Sequence, residues 1–452
     1  MMQYQEYFAG LKGKTIGVFG MGISNIPLIS MLLDCGAKVV AGDKKTKAQL
    51  GAVADDLEKR GVELVLGDAF PDNMHGEIIF RTPGIRPDIP KFLELKASGS
   101  IITSEMEVFF DLCPAEIIAV TGSDGKTTTT TLISEMLKAE GYKVWLGGNI
   151  GKPLLPDIAQ VKENDKVVVE LSSFQLMTFK KSPHIAVMTN LSPNHLDVHK
   201  DYQEYIDAKK NIMLYQSESD IFVTNAGNAD TLKVSEQAKG VLRTFSSKGD
   251  ALLHLKNGVI YYGDEAVLDT ADIKLPGNHN VENYMTAIGA VHDLVSRESI
   301  VNVAKDFGGV PHRIELVRTL DGVRYYNSSI DSSPNRTINT LKVFPQKVIL
   351  IAGGKDKGIA YDDIGPAIAE HVKCLLLIGA TSDAIESAVR KAENGDKVEI
   401  LRFTTYEDVV KTAREKAENG DVVLLSNAST SFDMFKNFEE RGNLFKELVM
   451  NL

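Results

Sequence analysis

The chain reads as an α/β protein built of parallel sheets covered by helices. Short apolar runs alternate with helix-length segments along almost all of its 452 residues, the pattern of strands joined by crossover helices. Two of these runs lead straight into glycine-rich turns. One exception is informative: Asn257-Gly258 interrupts the alternation with a hairpin signal.

The elements follow in order. Residues 15–19 form the first strand, leading into Gly20-Met21-Gly22-Ile23-Ser24-Asn25 and a helix to about Cys35. Residues 38–42 form the second strand, closed by Asp43. Further strands are expected at 117–120, 166–171, 185–188, 221–223, 348–351, 374–378 and 422–425, each a short apolar run between polar or turn residues. Residues 252–255 and 259–262 flank Asn257-Gly258 as a small antiparallel insert. The alternation restarts after Cys113-Pro114 and again after Gly308-Gly309-Val310-Pro311. Three domains are therefore expected, at 1–112, 113–311 and 312–452. Neither a 20–50-residue repeat nor a low-complexity tract is visible.

Composition excludes several classes. With 43% apolar and 25% charged residues, the chain is an ordinary globular one, not disordered, collagenous or coiled-coil. Fifty Lys and Arg against 61 Asp and Glu leave a net charge of −11. So acidic a chain is a poor general binder of nucleic acid or anionic membrane, and neither is expected as a partner. Any anionic ligand must be caught locally. Cys35, Cys113 and Cys374 are far apart, which argues against a disulfide framework or zinc site and fits a reducing cytoplasm. The N-terminal residues do not resemble a secretory signal. No apolar run approaches the roughly 18 residues of a membrane helix.

The most informative stretch is residues 117–131. A strand runs into Gly122-Ser123-Asp124-Gly125-Lys126-Thr127-Thr128, and a helix follows to about Glu140. Glycines let the backbone curl so that its N–H groups point inward. The helix N-terminus adds positive potential. Lys126 can reach the β- and γ-phosphates, and the Thr127 hydroxyl can ligate Mg²⁺. Counted from Gly122, only two residues precede the Gly-Lys pair where the usual loop has four. A nucleotide triphosphate site is the expectation; a plain glycine-rich turn is the bland alternative.

The first glycine loop is a weaker signal. Gly20-Met21-Gly22 with Asp43 suits a dinucleotide, and hence an NAD oxidoreductase, but Asn25 stands where the third glycine belongs. A diphosphate of another nucleotide suits the same loop. Glu170 ends a strand, where a carboxylate points toward the ligand crevice of a parallel sheet. His195, in Asn194-His195-Leu196-Asp197, follows another strand. Hard oxygens suit Mg²⁺, whereas a histidine there is more often structural. Lys209, judged on residue type alone, is a solvated lysine.

Taken in this order, the motifs resemble the Mur ligase family over essentially the whole chain. Residues 121–128 are similar to its ATP loop, and Gly148-Asn149-Ile150-Gly151 to its substrate-contacting loop. Segments 170–176 and 194–197 are similar to its Mg²⁺ segments, and 275–283 to its adenine-side motif. Pro311-His312-Arg313-Ile314-Glu315 is similar to its interdomain motif. The ending, 431–442, looks like that of the members that add D-glutamate.

The resemblance implies a Rossmann-like N-terminal domain, a central P-loop-type ATPase domain carrying the antiparallel insert, and a Rossmann-like C-terminal domain. It implies ATP and Mg²⁺ as cofactors, and UDP-N-acetylmuramoyl-L-alanine and D-glutamate as substrates, in peptidoglycan synthesis. The UDP substrate would lie at Gly22, Ser24, Asp43, Gly84 and Asn149. ATP would lie at residues 122–128 with Asn280, Asn283 and Arg313. The metal would be held by Thr127, Glu170, His195 and a carbamylated Lys209, with Lys126, His195 and Lys209 as the catalytic set. Lys357, Ser431, Phe432 and Phe438 would receive the amino acid. A monomer is expected.

Two departures from the family pattern fall where ATP and the amino acid should meet. Asn327-Ser328-Ser329 replaces Asn-Asp-Ser, with Asp331 three positions on as a candidate substitute. Ser426-Asn427-Ala428-Ser429-Thr430-Ser431 replaces Ser-Pro-Ala-Cys-Ala-Ser. Alternatives to D-glutamate addition are a related ATP-dependent amino-acid ligase, including one extending folate with glutamate, a non-ligase ATPase or kinase, and a homologue that binds ligand with reduced turnover.

Overall fold

Three sheets carry the chain. The structure, a computed structural model, describes residues 4–22, 24–196, 198–275, 277–356 and 360–452. The chain folds into two compact units, Met1–Phe307 and Gly308–Leu452. The first unit holds a five-stranded and a nine-stranded sheet; the second holds a six-stranded one.

The five-stranded sheet is parallel throughout. Its strands, in spatial order, are Glu63–Leu66, Lys38–Asp43, Thr15–Phe19, Ile78–Arg81 and Ile101–Thr103. Numbered along the chain this is 3-2-1-4-5. The order reverses beside Thr15–Phe19, so the crevice at the carboxyl ends of Thr15–Phe19 and Ile78–Arg81 is the expected ligand position. A Cβ on Gly20 would come 2.9 Å from Thr82 Cγ2, so the loops after these two strands touch there.

The nine-stranded sheet places Glu116–Thr121 between Ile185–Met188 and Lys166–Glu170. Three strands that the sequence marks for ligand binding thus end side by side. Side chains of Glu116–Thr121 alternate between two cores: Ile118 and Val120 join one cluster, Ile117 and Ala119 the other. Burial on both faces is why parallel strands read as unbroken apolar runs. Each buried Ile or Val among them contributes roughly 1.5–3 kcal/mol. The far edge is the expected insert. Leu253–Lys256 pairs antiparallel with Val259–Tyr262, and both turn residues, Asn257 (φ 51°) and Gly258 (φ 79°), are left-handed, as a two-residue hairpin with the sheet's twist requires. Glu265–Asp269 adds a further antiparallel strand.

The six-stranded sheet repeats the two-sided logic. Val348, Leu350 and Ala352 face one core; Ile349 and Ile351 face the other. An antiparallel edge strand, Glu315–Leu320, pairs with Val323–Asn327. The remaining pairs are parallel.

Candidate functional site

The loop at residues 122–127 is shaped from both neighbouring strands. Gly122 has φ 145° and Gly125 φ 76°, conformations open to glycine and costly for other residues. A Cβ on Gly122 would fall 1.9 Å from Thr189 Oγ1, and one on Gly125 2.4 Å from Asn283 Oδ1. After the strand Ile185–Met188, Thr189 Oγ1 donates to Asp124 O (2.6 Å). Asn190 O accepts from Ser123 N–H (2.9 Å), and Asn190 Oδ1 from Asp124 N–H (2.9 Å). Ser123 Oγ lies 2.9 Å from Tyr205 Oη. Lys126 Nζ donates to Ser123 O at 2.8 Å, curled over the loop it closes.

The helix Lys126–Ala139 begins at this loop. Its threonine run is a poor helix former. Thr130 and Thr131 return their hydroxyls to the carbonyls of Lys126 and Thr127, both at 2.8 Å, while Leu132, Ile133, Met136 and Leu137 are buried in the core. Tertiary packing, more than propensity, holds this element, whose N-terminus would favour a bound anion.

Glu170 is buried at the end of its strand and organises the metal candidates. Thr127 Oγ1 donates to Glu170 Oε2, and Asn149 Nδ2 to Glu170 Oε1, both at 2.7 Å. Among the described residues no group of three or more His, Cys, Asp and Glu gathers to hold an ion unaided. The donor set fits Mg²⁺ nonetheless, because that ion takes one or two protein oxygens and fills its shell from phosphates and water. His195 is exposed on its loop, with φ 55°. Its ring meets Phe174 edge-on at 5.1 Å, and Phe174 belongs to the segment following Glu170. Asp197, in the same motif, lies outside the described residues.

Lys209 is not solvated, contrary to what its residue type suggests. It is 1% exposed. Its Nζ donates to Gly122 O (2.8 Å) and Thr121 Oγ1 (3.2 Å) and lies 4.8 Å from the Tyr205 ring centre. Burial, reinforced by the Lys126 charge and opposed by Glu170, pulls its pKa well below the usual lysine value. The helix Asn278–Val291 supplies Asn280 and Asn283 to the same locality. Asn283 Nδ2 donates to Asn280 Oδ1 (3.1 Å), and Asn283 Oδ1 accepts from Thr129 (3.5 Å).

At the first sheet, Asp43 Oδ2 accepts Met21 N–H (2.8 Å) and Oδ1 accepts Lys45 N–H (3.0 Å). Asn25, in the third-glycine position, ties the loop with its Nδ2 to Gly20 O (2.8 Å) and Phe19 O (3.2 Å). Ser24 and Gly22 are exposed. A Cβ on Gly22 or Gly84 would touch nothing, so both loops face open space.

The second unit carries the remaining candidates. Arg313 is exposed between two left-handed residues, His312 (φ 64°) and Ile314 (φ 48°). For β-branched Ile314 this conformation is a genuine outlier, held by Ile314 N–H to Ser328 Oγ at 3.3 Å. The missing acid is thus replaced by a buried hydroxyl that accepts a backbone bond. Asp331 is also buried, its Oδ2 held by Thr340 (2.7 Å) and Ser426 (2.8 Å); it serves this internal network and is no exposed substitute. Asn427 Nδ2 donates to Gly353 O and Tyr406 Oη, both at 3.1 Å. Lys355 N–H donates to Thr430 O (2.8 Å), bringing the glycine loop at 353–354 against the Ser431 segment. Ser431 is buried and Phe432 exposed. The Phe438 ring meets His312 edge-on at 5.9 Å. Lys357 lies outside the described residues.

Several site residues escaped the sequence. Thr189 and Asn190 shape the phosphate loop and could have been found as polar residues at the carboxyl end of a strand. Arg441, 1% exposed, donates from Nε to Ser329 Oγ (2.9 Å), from Nη2 to Ser329 O (2.7 Å) and from Nη1 to Ser429 O (3.1 Å). It falls within the family-like ending at 431–442, but no role was assigned to it there.

A glycine loop with lysine and threonine at a helix N-terminus, a buried carboxylate on that threonine and a buried lysine behind the loop make a nucleotide-dependent enzyme of the P-loop type. Comparison with known proteins identifies which one. Residues 120–291 match the family model "Mur ligase middle domain", and residues 312–428 match "Mur ligase, glutamate ligase domain". The chain belongs to the Mur ligase family, ATP-dependent ligases that form amide bonds in peptidoglycan precursors. It is 52% identical to UDP-N-acetylmuramoylalanine–D-glutamate ligase of Ruminiclostridium cellulolyticum over 99% of each chain. It is 53% identical to the protein of that name from Acetivibrio thermocellus, over 98% of this chain and 97% of the relative.

Among solved structures, UDP-N-acetylmuramate-alanine ligase from Thermotoga maritima matches with a TM-score of 0.56 at 18% identity, over 97% of this chain and 99% of that one. UDP-N-acetylmuramoylalanyl-D-glutamyl-2,6-diaminopimelate–D-alanyl-D-alanyl ligase from Acinetobacter baumannii matches at 0.52 and 16%, over 93% and 86%. These two support the three-domain fold. The oxidoreductase, kinase and non-ligase ATPase readings fall with the family assignment.

Proposed function

We propose that the chain joins D-glutamate to UDP-N-acetylmuramoyl-L-alanine at the cost of one ATP. The observation that carries this reading is identity of about half the residues, over the full length, to proteins named for that reaction. The domains are 1–112 for the UDP substrate, 113–311 for ATP and Mg²⁺, and 312–452 for the amino acid. It works as a cytoplasmic monomer; no helix among the described residues is long and apolar enough to cross a membrane.

The substrate carboxylate attacks the γ-phosphorus of ATP, breaking its bond to the bridging oxygen and releasing ADP. The amine of D-glutamate then attacks the acyl phosphate carbonyl. Phosphate leaves with one former carboxylate oxygen, and the amine loses a proton. Loop N–H groups and the helix N-terminus hold the phosphates, and Lys126 offsets charge developing on the transferring group. Thr127 and Glu170 would hold Mg²⁺ with His195 and Lys209. When bound, the ion neutralises phosphate charge and fixes the in-line geometry. The lowered pKa of Lys209, caused chiefly by burial, favours its neutral amine. Such an amine can add CO₂, losing a proton and becoming a carbamate whose oxygens suit Mg²⁺. Asp43 orders the first loop for the UDP end, near Gly22, Ser24 and Gly84, with Asn149 toward the reacting end. Asn280 and Asn283 serve the adenine side, and Arg313 the phosphates. Lys357, Ser431, Phe432 and Phe438 receive D-glutamate.

The test is phosphate release from ATP with each substrate omitted in turn. The proposal expects dependence on both UDP-N-acetylmuramoyl-L-alanine and D-glutamate. Equal rates with L-glutamate or another amino acid would overturn it.

A further inference from the structure

Arg86 lies at the end of the loop that carries Gly84, in the five-stranded sheet's part of the first unit. All of its guanidinium donors are used. Nε and Nη2 donate to the two oxygens of Asp88 (2.9 and 2.8 Å). Nη2 and Nη1 donate to Glu204 Oε1 and Oε2 (2.9 and 3.0 Å), and Nη1 also to Val198 O (2.6 Å). Val198 lies three residues after His195. Glu204 lies in the first turn of the helix Tyr202–Lys210, whose last turn carries Lys209, and it also accepts Lys200 N–H (2.8 Å).

An exposed ion pair contributes little. This one is mostly covered, with 22% and 24% side-chain exposure, bidentate, and joined by a backbone carbonyl, the geometry in which Arg–carboxylate pairing is strong and directional. Glu204 is held at a pKa of about 2, chiefly by the Arg86 hydrogen bonds. A second arginine, Arg81, makes a parallel link from the last residue of the strand before that loop. It donates to Ile85 O (2.9 Å) on its own side and to Phe174 O (3.2 Å) and Thr178 Oγ1 (3.1 Å) on the other.

We propose that Arg86 is a positioning residue of the ligation: it clamps the loop at 82–88 to the segment at 198–204. Placement of the UDP substrate and placement of His195 and Lys209 are then one event. The clamp rests on the functional reading above, which assigns the first loop to the UDP substrate. The lost element is specific. A lysine can replace the charge but not the double fork across Asp88, Glu204 and Val198.

Hydrogen exchange followed by mass spectrometry tests this in the full chain. In the wild type, UDP-N-acetylmuramoyl-L-alanine alone is expected to slow exchange in both 82–88 and 198–204. In Arg86→Met the same substrate slows 82–88 only. The free variant exchanges about tenfold or more faster at 198–204, as loss of charge-assisted bonds requires. Its KM for ATP rises while its KM for D-glutamate does not move. Arg81 remains in the variant and keeps the seam tied. Glu204→Gln, which keeps the shape and removes the charge, is expected to show the same split more weakly.

Transmission to 198–204 that survives in Arg86→Met overturns the clamp, as does its absence in a wild type whose 82–88 loop is protected. Protection of neither segment in the wild type overturns the substrate assignment, and the clamp with it.

Discussion

Gly122→Ala is the sharpest perturbation of the phosphate loop. The new methyl would sit 1.9 Å from Thr189 Oγ1 and 3.1 Å from Asn190 O, on a backbone with φ 145°. The unfavourable dihedral costs roughly 1–3 kcal/mol, and forced overpacking about 1–3 kcal/mol more. Their sum, about 2–6 kcal/mol, is a large part of the roughly 5–15 kcal/mol that holds a domain folded, so the melting temperature falls by several degrees. The functional loss is larger. Thr189 cannot move without releasing Asp124 O, the bond that shapes the loop, and a displacement near 1 Å at a reacting centre costs on the order of 100-fold in rate. Calorimetry with and without ATP, together with phosphate release, gives both numbers. The expected result is a folded protein that ATP no longer stabilises, with turnover down about 100-fold or more. Adding Thr189→Ala removes the hydroxyl clash and restores part of the stability. Wild-type ATP affinity and turnover in the single variant would refute the loop geometry.

Other outcomes follow from the same site and its surroundings. Lys126→Ala removes charge from the transferring phosphoryl group and should cut turnover by about 10²–10³-fold or more, with unfolding little changed; retained turnover in the assay would count against its role. If Lys209 acts as a carbamate, depleting dissolved CO₂ should slow the enzyme and bicarbonate should restore it, while Lys209→Met should be inactive in both conditions; rates indifferent to CO₂ would contradict this. Glu105, buried with its Oε1 on Leu155 N–H (2.7 Å), has its pKa raised by burial from 4.5 to about 7. The folded state therefore holds the proton more tightly, and the resulting stability is fully present below pH 4.5 and lost as pH rises through 7. Glu105→Gln should unfold like wild type near pH 4 and be more stable by about 3 kcal/mol at pH 8; denaturant titration at both pH values checks the sign.

Strands buried on both faces, such as Val348–Ala352, were legible because every residue is apolar, although the equally buried Ile78–Arg81, which ends in a charged residue, was not among those expected. Edge strands were not. Ile101–Thr103 is only three residues long with Ile101 exposed, and Glu399–Phe403 mixes Glu399 and Arg402 into its run. The hairpin of Glu315–Leu320 and Val323–Asn327 did carry a signal, Asp321-Gly322, both left-handed, of the kind that revealed the first insert. Within the site, the phosphate loop and Glu170 were readable because their chemistry follows chain order. Lys209 was not: its burial depends on Gly122 O, 87 residues away. Arg86 was hidden for the same reason, since Glu204 lies 118 residues distant. The departures at Ser328 and Asn427 became intelligible only with their partners, Ile314 N–H and Gly353 O.

The central claim is that a carboxyl group is activated by taking up the γ-phosphoryl group held over Lys126. Labelling the alanyl carboxylate of UDP-N-acetylmuramoyl-L-alanine with ¹⁸O and analysing the phosphate released on D-glutamate addition tests it directly. The account predicts one labelled oxygen in each phosphate, carried over from the acyl phosphate. Amide product accompanied by unlabelled phosphate would contradict it.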